Sequence, residues 1–137
     1  MTVLNVQAGA CGCSAKVTAT KVDDRHVHVV IESDCDQVTA MNEDLTNLQW
    51  KGKGHEVFGR LAESTVYRSA STHIRHTACP VPSAILKAIE VEVGAAAPAD
   101  VSFVFVPSTA ASERDAGASA GVEELRPSPP SEDPRSA

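Results

Sequence analysis

Alternating apolar and polar residues mark the first quarter of the chain. The pattern occurs in residues 3–7, 15–22 and 26–32, and the turn-forming residues Asp23 and Asp24 separate the last two stretches. An alternation with a period of two predicts half-buried strands, and a short turn between two of them predicts a hairpin. The sequence therefore predicts three strands before any helix.

A helical period begins after Ser33 and Asp34, two residues that suit the N-cap of a helix. Apolar residues then recur three and four positions apart, at Val38, Met41, Leu45 and Leu48. This spacing predicts an amphipathic helix over about residues 35–48, with Cys35 in its first turn.

Two further helices are predicted in the second half of the chain. Residues 50–59 contain three glycines without a clear period and are interpreted as irregular, whereas residues 64–73 are predicted to be helical. Pro80 and Pro82 suit the first turn of the next helix, because the N–H that proline lacks would be unpaired there. Gly94 is expected to end that helix.

The last apolar segment, residues 101–106, consists almost wholly of strand-forming residues and ends at Pro107. Such a run predicts a central strand covered on both faces. From Ser108 onward the chain is rich in Ala, Ser, Gly, Glu and Pro, and cannot bury enough apolar area to offset the entropy of ordering. We therefore predict one α+β domain over residues 1–107, with a small antiparallel or mixed sheet and helices packed on one face, and a disordered tail over residues 108–137.

Charge and composition narrow the classes of function. The 137-residue chain has a formal net charge of −6 and lacks a Lys/Arg cluster, which argues against a nucleic-acid partner. Its beginning lacks the pattern of a secretory signal, and no stretch approaches the length of a membrane span. We expect a cytoplasmic protein without a membrane partner. Disulfides are rare in the cytoplasm, so its four cysteines are interpreted as ligands or redox centres.

The cysteines are predicted to lie at loop tips or helix starts, where they can converge. A helix N-terminus favours the thiolate form of cysteine, which is the form that binds metal. We expect this effect at Cys35 and Cys79, the third and fourth cysteines of the chain. Four thiolates suit either tetrahedral zinc or an iron-sulfur cluster. The spacing lacks paired Cys-x-x-Cys knuckles and does not choose between these cofactors. The candidate ligands are Cys11, Cys13, Cys35 and Cys79, with His76 as a further metal ligand.

The segment Gly9-Ala10-Cys11-Gly12-Cys13, at the end of the first strand, resembles the Ala-Cys-Gly-Asp loop of the NifU N-terminal and IscU-like iron-sulfur cluster assembly scaffolds. In that family a second cysteine follows a three-stranded sheet and opens a helix, as Cys35 does. A third cysteine opens a later helix, as Cys79 does. The resemblance covers roughly residues 3–93 and implies a NifU/IscU-like fold, a scaffold or carrier function, and a cysteine desulfurase or a metal or cluster recipient as partner.

The chain departs from the scaffold pattern at three places. Cys13 stands where the scaffolds have an aspartate that keeps the cluster labile, so a fourth thiolate is expected to hold metal more firmly. His76 lies three residues before Cys79, whereas the family's histidine directly precedes the cysteine. The chaperone-binding Leu-Pro-Pro-Val-Lys segment is absent from the sequence.

Two other classes of function remain open from the sequence. One is a zinc-bound or free-thiol protein in sulfur transfer or redox chemistry, in which Cys35 or Cys79 reacts. The other is a protein-interaction domain with structural cysteines. The sequence has no nucleophile triad, phosphate-binding glycine loop or paired-carboxylate signature, so it favours a binding protein over an enzyme.

Overall fold

The computed structural model describes residues 1–52 and 55–108. A four-stranded antiparallel sheet has the strand order β1-β2-β3-β4. The three predicted strands are confirmed, and a two-residue strand follows them. The strands are β1 (Thr2–Gln7), β2 (Ser14–Lys21), β3 (His26–Ser33) and β4 (Leu48–Gln49).

One face of the sheet is apolar and buried. The alternation places Val17 of β2 and Val29 of β3 in the core, while Lys16 and Glu32 form an ion pair of 3.1 Å between neighbouring strands on the other face. At the β2–β3 turn, Asp23 Oδ1 accepts hydrogen bonds from two backbone N–H groups of the turn. The hydrogen bonds of the turn and the alternation of apolar and polar residues therefore both stabilise the β2–β3 hairpin.

Three helices complete the α+β fold: α1 (Asp36–Ala40), α2 (Thr65–His73) and α3 (Val81–Glu92). Helices α2 and α3 confirm the helical predictions for those segments. Ile85 and Ile89 of α3 are fully buried in the core that the helices share with the sheet. Among the described residues, no helix combines the length and the apolar character needed to cross a membrane.

The predicted helix over residues 35–48 is wrong in its length. Helix α1 ends at Ala40, and a 3₁₀ turn follows over Met41–Asp44. The Asn42 side chain accepts a hydrogen bond from Ile31 N–H at 2.8 Å and donates one to Ile31 C=O at 2.9 Å. Val29 N–H donates to Leu45 C=O at 2.9 Å. Helix α1 ends early because the residues that follow it form hydrogen bonds with the backbone of β3.

A buried carboxylate holds the start of α2. Glu56 is only 6% exposed and accepts hydrogen bonds from Ser64 Oγ at 2.5 Å and from Thr65 N–H at 2.6 Å. Ser64, the N-cap residue, also accepts from Tyr67 N–H. The irregular segment before α2 therefore satisfies N–H groups that a helix leaves unpaired in its first turn.

The chain divides into two units, Met1–Ala99 and Asp100–Ala137. The predicted central strand over residues 101–106 is wrong: the segment forms no strand, and its five apolar side chains are exposed. Strand-forming residues give a segment only a tendency to form a strand. A strand in a sheet also requires hydrogen bonds to the backbone of a neighbouring strand. Of the predicted disordered tail, residues 109–137 lie outside the described residues.

Candidate metal centre

One cavity of about 470 Å³ is lined by all four cysteines and by His76. Its remaining wall includes the apolar residues Val38, Ile74 and Val81. The four thiols are free, and they come from three separate parts of the chain: the β1–β2 loop, the start of α1 and the segment before α3. The fold therefore brings together every candidate ligand that the sequence predicts.

The β1–β2 loop presents Cys11 and Cys13 in a tight turn. Gly9 has φ +88° and Gly12 has φ +75°, a left-handed conformation that other residues rarely adopt. Gly12 N–H donates to Gly9 C=O at 2.9 Å, and Ala8 N–H donates to Cys13 C=O at 3.0 Å. A Cβ at either glycine would meet nothing within 4 Å, so backbone conformation rather than space explains these glycines.

Cys35 is the N-cap residue of α1 and is half-buried against the core. Its N–H donates to Ser33 Oγ at 3.1 Å, and its C=O accepts from Thr39 Oγ1 at 2.9 Å and from Thr39 N–H at 3.0 Å. These hydrogen bonds hold the backbone of Cys35 between the end of β3 and the start of α1.

Cys79 lies directly before Pro80, the N-cap residue of α3, and is half-buried against the core. Its N–H donates to His76 C=O at 3.0 Å, which folds the segment before α3 into a turn. Arg75 N–H donates to Gln37 Oε1 at 2.8 Å, which joins this segment to α1. The Gln37 side chain therefore connects two of the three segments that carry cysteines.

The spacing of the thiols differs from that of a closed zinc site. Tetrahedral zinc with Zn–S bonds of about 2.3 Å holds its sulfur ligands about 3.8 Å apart. Within residues 1–52 and 55–108, three candidate ligand atoms lie within 4.8 Å of one another only at Glu43, Asp44 and His73. The cysteine sulfurs thus share a cavity without forming a preassembled tetrahedral set.

The pKa values of two thiols, Cys13 and Cys79, are raised. Burial, the neighbouring Cys11 and the charges of Asp34 and Cys35 raise the pKa of Cys13 to about 11. Burial likewise raises the pKa of Cys79, more than a hydrogen bond from Val81 N–H lowers it. The N–H at the start of α3 thus acts in the direction expected of a helix start, but in the metal-free protein loss of hydration outweighs it.

The raised pKa of Cys13 predicts a distinctive alkylation profile. In metal-free folded protein, we expect its reaction with iodoacetamide to accelerate about tenfold per pH unit from pH 7 to pH 10 without levelling off, because only the thiolate reacts. In urea, the same cysteine should level off near pH 9. Mass spectrometry of the Cys13 peptide measures both profiles, and a plateau near pH 9 in the folded protein would contradict the prediction.

A second cluster was not found from the sequence. His73 Nε2 lies 3.1 Å from Asp44 Oδ2 and 3.3 Å from Glu43 Oε1, and Ser69 Oγ donates to Asp44 Oδ2 at 2.7 Å. These contacts arise because α2 packs beside the 3₁₀ turn, which no local pattern in the sequence signals. The cluster is not part of the cysteine cavity.

His26, His28 and His55 make contacts elsewhere in the fold. His26 Nδ1 lies 3.0 Å from Asp23 Oδ1, His28 Nδ1 lies 3.0 Å from the carbonyl oxygen of Thr46, and His55 Nδ1 accepts from two loop N–H groups. None of the three lines the cysteine cavity.

Comparisons with known proteins identify a family but no function. Neither the search of curated proteins nor that of solved structures gives a match. A family model described as a family of unknown function, DUF6951, matches residues 2–105, a span that includes all four cysteines. The chain therefore belongs to the DUF6951 family.

Proposed function

We propose that this protein binds an iron-sulfur cluster through Cys11, Cys13, Cys35 and Cys79 and acts as a scaffold or carrier in cluster assembly. The observation that carries the proposal is the single cavity lined by all four thiols, which three separate chain segments contribute. Buried cysteines that only fill space have no reason to line one opening together.

The size and spacing of the site support a cluster rather than a single ion. A cluster distributes its thiolate ligands over different iron atoms, so the sulfurs need not approach as closely as around one zinc. No three cysteine sulfurs in the described chain lie within 4.8 Å of one another, and the cavity volume is about 470 Å³. Apolar walls such as Ile74 and Val81 would limit access of water to the bound group.

The order of elements supports a distant relation to the NifU/IscU-like scaffolds. Three antiparallel strands come first, the β1–β2 loop carries Cys11, Cys35 opens a helix after these strands, and Cys79 precedes a later helix. This is the order by which the sequence resembles that family. On this proposal, Cys13 adds a fourth thiolate, and His76, which is exposed at the cavity, is available as an additional ligand.

The partners proposed are a cysteine desulfurase, as the sulfur source, and a protein that receives the metal or cluster. Cys11 is exposed at the tip of its loop, where a partner can reach it. A fourth thiolate would make release to the recipient slower than from a three-cysteine site, because one more metal–sulfur bond must break.

The alternatives fit the described geometry less well. A structural zinc site would require the sulfurs to move closer together. Thiol chemistry at Cys79 would require its thiolate in the metal-free protein, where burial raises the pKa. A bound metal would itself stabilise the thiolate. A protein-interaction domain with structural cysteines gives no reason for the shared cavity.

Anaerobic purification followed by an absorption spectrum and assays of iron, zinc and labile sulfide tests the proposal. Visible charge-transfer bands with matched iron and sulfide are expected in the purified or reconstituted protein. One zinc per chain without visible absorption would show that the site binds zinc instead of a cluster. No bound metal under either condition would overturn both and leave a thiol or interaction function.

A further inference from the structure

Strand β1 forms an open edge of the sheet. Within the described part of the chain, β2 is the only strand paired with it. The backbone groups of Val29 and Ile31 in β3 point away from β2, because they bond to Leu45 and Asn42. Antiparallel bonding alternates along a strand, so the residues between them in β3 are the ones that bond to β2.

The same alternation continues through β2 to β1. Thr18 pairs with Val30 and therefore bonds to β3, whereas its neighbours Val17 and Ala19 bond to β1. Their partners in β1 are Leu4 and Thr2. The backbone N–H and C=O groups directed to the open side of the sheet are consequently those of Val3, Asn5 and Gln7.

This edge lacks the features that keep edge strands apart. Natural edge strands are blocked by charged side chains, proline, bulges or short length. Strand β1 has six residues, Thr-Val-Leu-Asn-Val-Gln, without a charge or a proline, and it pairs with β2 in an uninterrupted register. The edge is therefore competent to accept another strand.

The described part of the chain also carries a strand-forming segment that pairs with none of the four strands. Residues 101–106, Val-Ser-Phe-Val-Phe-Val, match β1 in length, have no charge and end at Pro107. Phe103 and Val104 are each 80% exposed, and Phe105 is fully exposed. The family model extends to residue 105, so most of the segment belongs to the region that defines the family. An exposed apolar run of this kind marks an interaction site.

We propose that residues 101–106 of one copy add as a strand to the β1 edge of a second copy, and that the exchange is reciprocal. The second copy is the occupant because each chain offers both an uncharged six-residue edge and an uncharged six-residue donor. Main-chain hydrogen bonds to Val3, Asn5 and Gln7 supply affinity, and the buried phenylalanines add to it. The two equal contacts are related by a two-fold axis and close a dimer. This inference does not depend on metal binding.

The test uses the metal-free full chain and sedimentation equilibrium. The wild type is expected to be a dimer. The double variant F103K/F105K should weaken association at least about tenfold, since aromatic anchors dominate interface energy. Phe58→Lys is the matched control, because Phe58 is also exposed, at 71%, and belongs neither to β1 nor to the segment. It should leave the dimer intact.

A mixing experiment distinguishes strand exchange from other dimers. Asn5→Pro removes an N–H that faces the open side, where proline is tolerated at an edge, so the fold should persist while the edge is blocked. Each variant alone should associate at least about tenfold more weakly than the wild type. A mixture of Asn5→Pro with F103K/F105K should form a heterodimer with one of the two contacts. The Asn5→Pro copy supplies an intact segment 101–106, and the F103K/F105K copy supplies an intact β1 edge.

A monomeric wild type, or a dimer that both variants preserve, would overturn the proposal. Failure of the mixture to associate, with circular dichroism confirming that both variants are folded, would also overturn it. Loss of metal binding alone would leave it unaffected, so its failure is distinguishable from failure of the proposed cluster function.

Discussion

Replacing Cys79 by serine is expected to lower the iron and sulfide retained after anaerobic reconstitution by more than about tenfold. Mutation of groups that only support metal ligands already costs roughly 10–100-fold in affinity, and loss of a ligand should cost at least as much. Cys79 is half-buried in the cavity wall beside α3, so serine replaces a soft sulfur by a harder oxygen at a fixed position. Elemental analysis after gel filtration measures the retained metal.

Two histidine variants complete this experiment. His73→Gln is the control, because His73 lies in the cluster with Glu43 and Asp44 and not in the cysteine cavity. It should retain metal like the wild type. His76→Gln should lower retention if His76 is a ligand. A Cys79→Ser protein that is folded by circular dichroism and binds metal at the wild-type level would refute the four-cysteine site.

Replacing Glu56 by alanine is expected to lower the free energy of unfolding by about 2–4 kcal/mol. Its carboxylate accepts hydrogen bonds from Ser64 Oγ and Thr65 N–H, and hydrogen bonds to charged groups contribute about 1.5–3 kcal/mol each. Alanine would leave these donors unpaired in a buried place at the start of α2. Urea denaturation of the metal-free protein, followed by circular dichroism, measures the loss.

Glu63→Ala provides the matched control. Glu63 is a nearby exposed glutamate in the 3₁₀ turn before α2, and its replacement should change stability by less than about 0.5 kcal/mol. Glu56→Gln should fall between the two variants, since the amide oxygen still accepts while its NH₂ group needs a new partner. Equal stability of Glu56→Ala and Glu63→Ala would show that the buried carboxylate does not stabilise α2.

Local patterns predicted the elements whose local preference agrees with their tertiary surroundings. The alternation in β2 and β3 matches a sheet with one buried face, and Pro82 stands in the first turn of α3, as its missing N–H favours. The apolar spacing from Val38 to Leu48 matched a helix equally well. The helix prediction failed because Asn42 and Leu45 form hydrogen bonds with the backbone of β3, and they can do so only if the helix ends before them.

The sequence predicted which residues belong to the candidate site but not how they are arranged. The residue types and the positions of the cysteines beside loops and helix starts indicated which side chains to consider. Their convergence on one cavity depends on how α1 and the segment before α3 pack beside the β1–β2 loop. The raised pKa of Cys79 likewise follows from burial, and the His73 cluster follows from the packing of α2 beside the 3₁₀ turn.

The sequence by itself determined the three-stranded start of the sheet, helices α2 and α3, and the four thiols as the chemistry of interest. Periodicity and turn chemistry act over a few neighbouring residues, so these features can be predicted from local patterns. Only the tertiary structure decided the end of α1, the exposed state of residues 101–106 and the shared cavity. Each depends on groups distant in sequence, because a backbone or side chain takes its final state from the partners that folding brings to it.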